Sequence, residues 1–321
     1  MPVSAASGDA PPQGGVEASL VDLLTALRAE GYQFVTPTPS THRRVVARPE
    51  NAQANDLRGA FGWSLPFAPG LLAPELIGLM QQAGVLVRRD GLLASTVRVS
   101  SLGPDLFLHS AYPPAAADAV FFGPDTYRFA AFLEIALADY RGGRVLADIG
   151  AGSGAGAITA ARLARPDQVV MSDTNPKALM FARANAAAAK VTAQFRLASG
   201  LEALDEPADL IIANPPFIAG EGGRAYRDGG DLHGARLSLD WALAGAERLG
   251  PGGMLAMYTG SAIVAGQDGF RAALTDGLDA SRFTLAYREL DPDIFGGELN
   301  RAANRDVDRI AAVGLVIRAT H

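Results

Sequence analysis

A chain of 321 residues is long for one average domain and short for three, so two domains are expected. Hydrophobic residues make up 49% and charged residues 19%, which excludes a disordered chain, and a net charge of −6 argues against a broad grip on nucleic-acid phosphates. There is no cysteine, so disulfides, thiolate metal sites and cysteine nucleophiles are excluded, and the four histidines (His42, His109, His233, His321) are too scattered for a metal site.

Residues 1–15, rich in Ala, Pro, Gly and Ser, read as a flexible tail. The first basic residue is Arg28 and no run of about 18 apolar residues occurs, so a soluble, cytoplasmic protein without a membrane partner is expected. Residues 16–118 read as an N-terminal α+β domain. Its first helix begins at Val16, shows Leu20, Leu23, Leu24 and Leu27 on one face, and stops at Gly31. Further helices are expected over Asn55–Trp63 and Leu71–Ala83, the latter closed by Gly84. Strands follow that turn at Asp90-Gly91 and at Gly103-Pro104-Asp105. Helices followed by a small hairpin resemble a winged-helix arrangement. Such a unit serves substrate recognition or dimerisation, or merely shields the larger domain. The pairs Arg43-Arg44 and Arg88-Arg89 are expected to be solvated.

Residues 119–321 read as the second domain. Asp125 or Thr126 is expected to cap a helix running through Phe129, Phe132, Leu133 and Ile135 to Leu137, either a plain helix entry or a lid segment over a ligand. Then comes RVLADIGAGSGAG, residues 144–156. Its apolar start reads as a buried parallel strand ending near Asp148. Gly150-Ala151-Gly152-Ser153-Gly154 reads as a loop feeding the next helix, Ala157–Ala164, the place where open α/β sheets bind nucleotides. A second strand, Gln168–Ser172, ends in Asp173 with Thr174 beside it. That spacing suits an acid accepting hydrogen bonds from both hydroxyls of a ribose, and equally an acid capping the following helix.

A helix over residues 177–188 is followed by a third strand, Thr192–Ala198, and by Ser199-Gly200. The fourth strand, Asp209–Ala213, runs directly into Asn214-Pro215-Pro216-Phe217. Two prolines stop the strand and stiffen the turn. A rigid amide side chain and backbone carbonyl beside an aromatic face suit a planar –NH₂ group, holding it in line for a displacement. Tyr226 and His233, in the loop beyond, either touch substrate or are surface residues. Leu239–Leu249 reads as a helix ending at Gly250-Pro251-Gly252-Gly253. Met254–Gly260, Phe283–Leu290 and Ala311–Ile317 read as the last strands.

GPDT (123–126), DIGAGSG (148–154), Asp173, ARANA (182–186), IIANPPF (211–217) and DGGDLHG (228–234) together resemble class I S-adenosylmethionine-dependent methyltransferases. They look most like the small-domain branch that holds release-factor glutamine, ribosomal RNA guanine and amino-adenine N-methyltransferases. The resemblance implies an α/β, Rossmann-like doubly wound seven-stranded sheet, with the last two strands forming a hairpin that contributes one antiparallel strand. It implies Asp148, Gly150 and Gly152 around the methionine part of the cofactor, Asp173 on the ribose, Ala151, Thr174 and Asn214 also at the cofactor, and Asn214, Pro215, Pro216 and Phe217 at the acceptor nitrogen. Two positions depart from the glutamine enzymes. The acid near the adenine is replaced by Gly200, leaving Ser199 or a backbone group to substitute, and the helix entry reads Gly-Pro-Asp-Thr. The implied activity is N-methylation of a protein glutamine, a nucleobase or a small metabolite, the negative charge favouring protein or small-molecule acceptors over RNA. A nicotinamide-dependent oxidoreductase using the same glycine loop, and a non-catalytic cofactor-binding module, are the competing readings.

Overall fold

Leu20, Leu23, Leu24 and Leu27 are all fully buried along one face of α1 (Gln13–Ala29). The computed structural model describes residues 13–114, 116–217 and 232–320. In it, α1 packs on α3 (Pro74–Gln82) and on a helix from much later in the chain. Between them lies α2 (Pro39–Val46), which the apolar pattern does not announce. The Thr38 hydroxyl accepts the Thr41 N–H at its start, and Pro39 supplies a preset φ. The helix expected over Asn55–Trp63 shrinks to a π-helical turn, Arg58–Gly62. Asp56 accepts the Gly59 N–H at 2.6 Å, a local bond that competes with helical pairing upstream. β1 (Leu86–Arg89) pairs antiparallel with β2 (Leu92–Ser95), and β3 (Val97–Leu102) with β4 (Asp105–Ser110), turning where the sequence indicates. Arg43, Arg44, Arg88 and Arg89 are exposed, as expected.

α4 (Pro124–Ala136) begins two residues or more earlier than expected. Neither Asp125 nor Thr126 is its cap: Gly123 takes that position, and the Thr126 hydroxyl reaches back to accept the Gly123 N–H at 3.2 Å. Proline at the first helical position explains the shift, since its missing N–H needs no partner there.

The remaining elements are β5 (Val145–Ile149), α5 (Ala155–Ala164), β6 (Gln168–Asp173), α6 (Pro176–Ala188), β7 (Gln194–Leu197), β8 (Ala208–Ala213), α7 (Arg236–Ala246), β9 (Leu249–Val264), β10 (Gln267–Asp268), α8 (Gly269–Gly277), β11 (Phe283–Asp291) and β12 (Val307–Ala319). The main sheet runs β7-β6-β5-β8-β9-β12-β11, with the two-residue β10 added to β9. β5 to β9 are parallel neighbours, and β12 runs antiparallel to both β9 and β11. This is the Rossmann-like sheet with a single reversed strand. The glycines and proline at 250–253 do not end α7 but lie inside β9, because Ala208 at the start of β8 pairs with Leu249 and captures the segment into the ladder.

α6 belongs to two cores at once. Ala178, Phe181, Ala184 and Ala188 join the leucines of α1 and the apolar residues of α3, while Ala182 and Ala186 join the core beneath the sheet. Between these faces the fully buried Asn185 accepts the Leu108 N–H at 2.8 Å and donates to the carbonyls of Leu108 and Ser153. One amide thus ties β4 to the glycine loop. Arg162 adds a two-pronged pairing to the buried Asp105 at 2.8 and 2.9 Å.

Candidate functional site

Strand order reverses at β5, with β6 on one side and β8 on the other, and the loops leaving their carboxyl ends diverge there to leave a crevice. A cavity of about 580 Å³ lies at those ends, within the size range of small-molecule sites. Gly150, Ala151, Gly152, Asp148, Asp173, Thr174, Ser199, Gly200 and Asn214 through Phe217 all line it. Gly150 and Gly152 hold φ of +72° and +55°, the left-handed region where a side chain is strained. A Cβ at Gly152 would enter open space, whereas one at Gly150 would meet the Trp241 ring at 3.0 Å. The loop is therefore bare backbone facing the cavity, a cradle for a ligand that approaches the main chain.

Two carboxylates hold this cradle in shape. Asp148, 2% exposed, accepts the Ala157 N–H at 2.8 Å, and burial pushes its pKa up to about 7. Asp173 accepts the Gly152 N–H and the Asn175 N–H, both at 2.9 Å, and burial raises its pKa as well. Asp173 thus ties the loop to the segment before α6 and lines the cavity, but it is not the cap of that helix. Asn175 is itself the cap of α6, accepting from Lys177 N–H.

Trp241 was not singled out from the sequence. It lies on α7, and its ring faces both Gly150 and Gly200: a Cβ on Gly200 would meet the indole Nε1 at 3.0 Å. The glycine that stands in place of the expected acid therefore makes room for an aromatic wall. A paired swap of this kind, small residue against large ring, leaves no signal in local spacing.

Ile149 of β5 pairs with Ala213 of β8, so Gly150 and Asn214 leave the sheet side by side. Asn214 is half-buried, and Phe217 is 9% exposed, packed edge-on against Tyr258 (6.2 Å) and Phe295 (5.7 Å). Asp125, also lining the cavity, accepts the Tyr258 hydroxyl at 2.7 Å and pairs with Arg128 at 3.3 Å. Burial raises its pKa against those bonds. His233 is not brought to this cavity; it pairs with Asp306 at 3.6 Å. Tyr226 lies outside the described residues. Among the described residues no group of three His, Cys, Asp or Glu could hold a metal, and no helix is long and apolar enough to cross a membrane.

The geometry fits the cofactor implied by the sequence: bare backbone at the loop, a carboxylate at the end of the second strand, and an aromatic wall. A family model described as "Methyltransferase small domain" matches residues 128–227. A release factor glutamine methyltransferase of Koribacter versatilis (strain Ellin345) is 39% identical over 74 residues, 22% of this chain and 26% of that protein. One of Deinococcus radiodurans is 39% identical over 75 residues, 23% of this chain and 27% of that protein. The match thus spans about a quarter of these curated relatives' length. A solved structure described as a SAM-dependent methyltransferase from Agrobacterium tumefaciens superposes with a TM-score of 0.47 at 14% identity, over 78% of this chain and 80% of that one.

Proposed function

We propose that this chain, which a family model described as "Methyltransferase small domain" matches over residues 128–227, is a class I S-adenosylmethionine-dependent methyltransferase that transfers a methyl group to a planar amide or amino nitrogen. The observation that supports this most directly is the side-by-side exit of Gly150 and Asn214 from neighbouring strands. It sets the acceptor grip against the cofactor cradle.

When bound, S-adenosylmethionine supplies a methyl group already activated by its sulfonium. The rest is the work of the chain. The Gly150–Gly152 backbone would hold the cofactor's methionine end, Asp173 would accept hydrogen bonds from its ribose hydroxyls, and Trp241 would lie along its adenine side. The Asn214 side-chain oxygen and the Pro215 carbonyl would each accept one hydrogen of the acceptor's –NH₂ group. Phe217 would lie flat beside it, so the nitrogen lone pair points out of plane toward the methyl group. Such a nitrogen loses its proton only as it gains the methyl. No strong base is needed, in keeping with the lack of a histidine–carboxylate pair among the described residues around Asn214.

The names of the two relatives favour a glutamine side chain of a protein as acceptor, and the net charge of −6 disfavours RNA. Incubation with radiolabelled cofactor and fractionated lysate reads the acceptor class directly. Asn214→Ala should cut turnover at least about a hundredfold while S-adenosylhomocysteine affinity stays within about threefold. Unchanged turnover, or stabilisation by a nicotinamide cofactor instead, would sink the assignment.

A further inference from the structure

A second cavity, of about 210 Å³, lies between the N-terminal region and the strip that leads into α4. Thr36, Arg43, Arg98, Ser110 and Tyr112 are among its lining residues. Val120 and Phe121 line this cavity and the larger one alike. The unusual member is Arg98 on β3. It is 4% exposed, its Nε–H donates to the Gly62 carbonyl at 2.8 Å, and its guanidinium lies over the Phe34 ring at 5.5 Å. Its Nη2 has no hydrogen-bond partner, and no carboxylate among the described residues pairs with it. A buried guanidinium normally comes with an anion, because an unpaired charge away from water is strongly destabilising.

The surroundings offer no compensation. Burial, reinforced by Arg98 itself, pushes His42 down to about 4 and His109 well below the usual imidazole range. Burial raises Tyr32 and Tyr127, so both phenols stay protonated. The His42, His109, Tyr32 and Tyr127 side chains beside Arg98 are thus neutral near pH 7. Burial lowers Arg98 to about 10, and it remains charged. The cavity therefore holds one fixed, unmatched positive charge. Arg43, the other cation of the wall, is exposed at the mouth, where water and salt screen it.

We infer that this cavity is a binding site for a small carboxylic acid, whose single negative charge is taken by Arg98. One buried cation matches a monoanion. A phosphate dianion would carry a second charge into a neutral, half-apolar space. The site does not depend on methyl transfer, and its test needs neither cofactor nor turnover, so its failure would leave the proposed function standing.

The full chain is titrated with acetate and butyrate at constant ionic strength set by sodium chloride, and melting is followed. Saturating butyrate should raise the melting temperature by about 3 °C in the wild type and leave Arg98→Met unmoved. Without added acid, Arg98→Met should melt no lower than the wild type, because it loses an unpaired buried charge. A purely structural arginine would predict the reverse. Arg43→Gln should keep most of the shift. NMR of protein carrying ¹³C-labelled arginine gives an independent reading: butyrate should move one guanidinium signal, whether or not Arg98→Met folds. No response to either acid in the wild type overturns the site, as does an equal response in Arg98→Met. A larger response to inorganic phosphate than to the carboxylates overturns the choice of ligand.

Discussion

The two cavities share Val120 and Phe121 and are otherwise made of different materials. The larger is framed by main chain at the ends of β5, β6, β7 and β8, and its charged groups are spent on holding that main chain. Asp148 takes the Ala157 N–H, and Asp173 takes those of Gly152 and Asn175. The smaller is framed by side chains from α2, β3 and β4, and its buried guanidinium has the Gly62 carbonyl and the Phe34 ring beside it but no carboxylate among the described residues, with Nη2 left without a partner. A site whose own polar groups are satisfied can stand preformed and wait for a ligand that reads its shape. A site with an unmatched positive charge is destabilising until an anion fills it and makes the sum neutral. The first kind costs the fold little; the second is the kind that a fold keeps only for use.

The largest effect should come from breaking the backbone cradle alone. Gly150→Val puts a β-branched residue at φ +72° and drives a Cβ toward the Trp241 ring, already 3.0 Å from that position. S-adenosylhomocysteine affinity, measured by calorimetry, should fall at least about a hundredfold. The butyrate response at Arg98 should be unchanged. Loss of both would mean that the cavities are one mechanical unit and would end the contrast drawn above.

These two sites also differ in how far the sequence announces them. The cradle could be read because its parts are local: a strand, a glycine run, an acid at the next strand end, a proline-stiffened turn. Each occupies a few consecutive residues, and the parallel order of β5, β6, β7 and β8 follows from their spacing along the chain. Trp241 could not be read so, because its importance lies in two glycines far upstream that lack a side chain. Arg98 is harder still. An arginine alternating with Val97 and Val99 on a hairpin reads as the solvated face of a strand, yet three of its neighbours are buried too and the whole of 97–100 is enclosed. Two-sided burial of β3 is a property of what packs on it, chiefly Phe34, Gly62 and the strip 119–124, and periodicity carries no trace of that. Asn185 was visible as a letter in a helical motif, but its span from β4 to Ser153 was not.

A middle-sized effect sets the two regions against each other by pH. Asp148 titrates near 7 when folded and at 3.8 when unfolded. Between those values the folded state holds a proton that the unfolded chain has released, so this group makes stability fall as pH rises through that window. Raised Asp125 and Asp173 act in the same sense. His42 has the opposite sign: its folded pKa near 4 lies below the ordinary 6.5, so the unfolded chain takes up protons first and stability falls as pH drops from 6.5 toward 4. Melting followed from pH 4 to 7 should therefore tilt in opposite directions in two variants. Asp148→Asn should make the melting temperature climb more steeply with pH than in the wild type, and His42→Gln should make it climb less. Parallel curves in all three proteins would show that neither group is perturbed as described.

The smallest effect is optical, and it reads the two cavities separately. The chain has two tryptophans, one near each cavity. Trp241 faces Gly150 and Gly200 in the larger one. Trp63 packs against Phe34 at 5.1 Å and His42 at 5.4 Å, and it directly follows Gly62, whose carbonyl accepts the Arg98 Nε–H. Indole emission responds to a ring stacked on it or to a charge neutralised beside it. In Trp63→Phe, S-adenosylhomocysteine should change the remaining emission while butyrate leaves it within noise. In Trp241→Phe the pattern should invert, with a change of only about a tenth in intensity because Arg98 reaches Trp63 through Phe34 rather than by contact. Because each signal belongs to one ring, a butyrate response from Trp241 would mean that the acid enters the larger cavity, and the unmatched charge of Arg98 would then need another explanation.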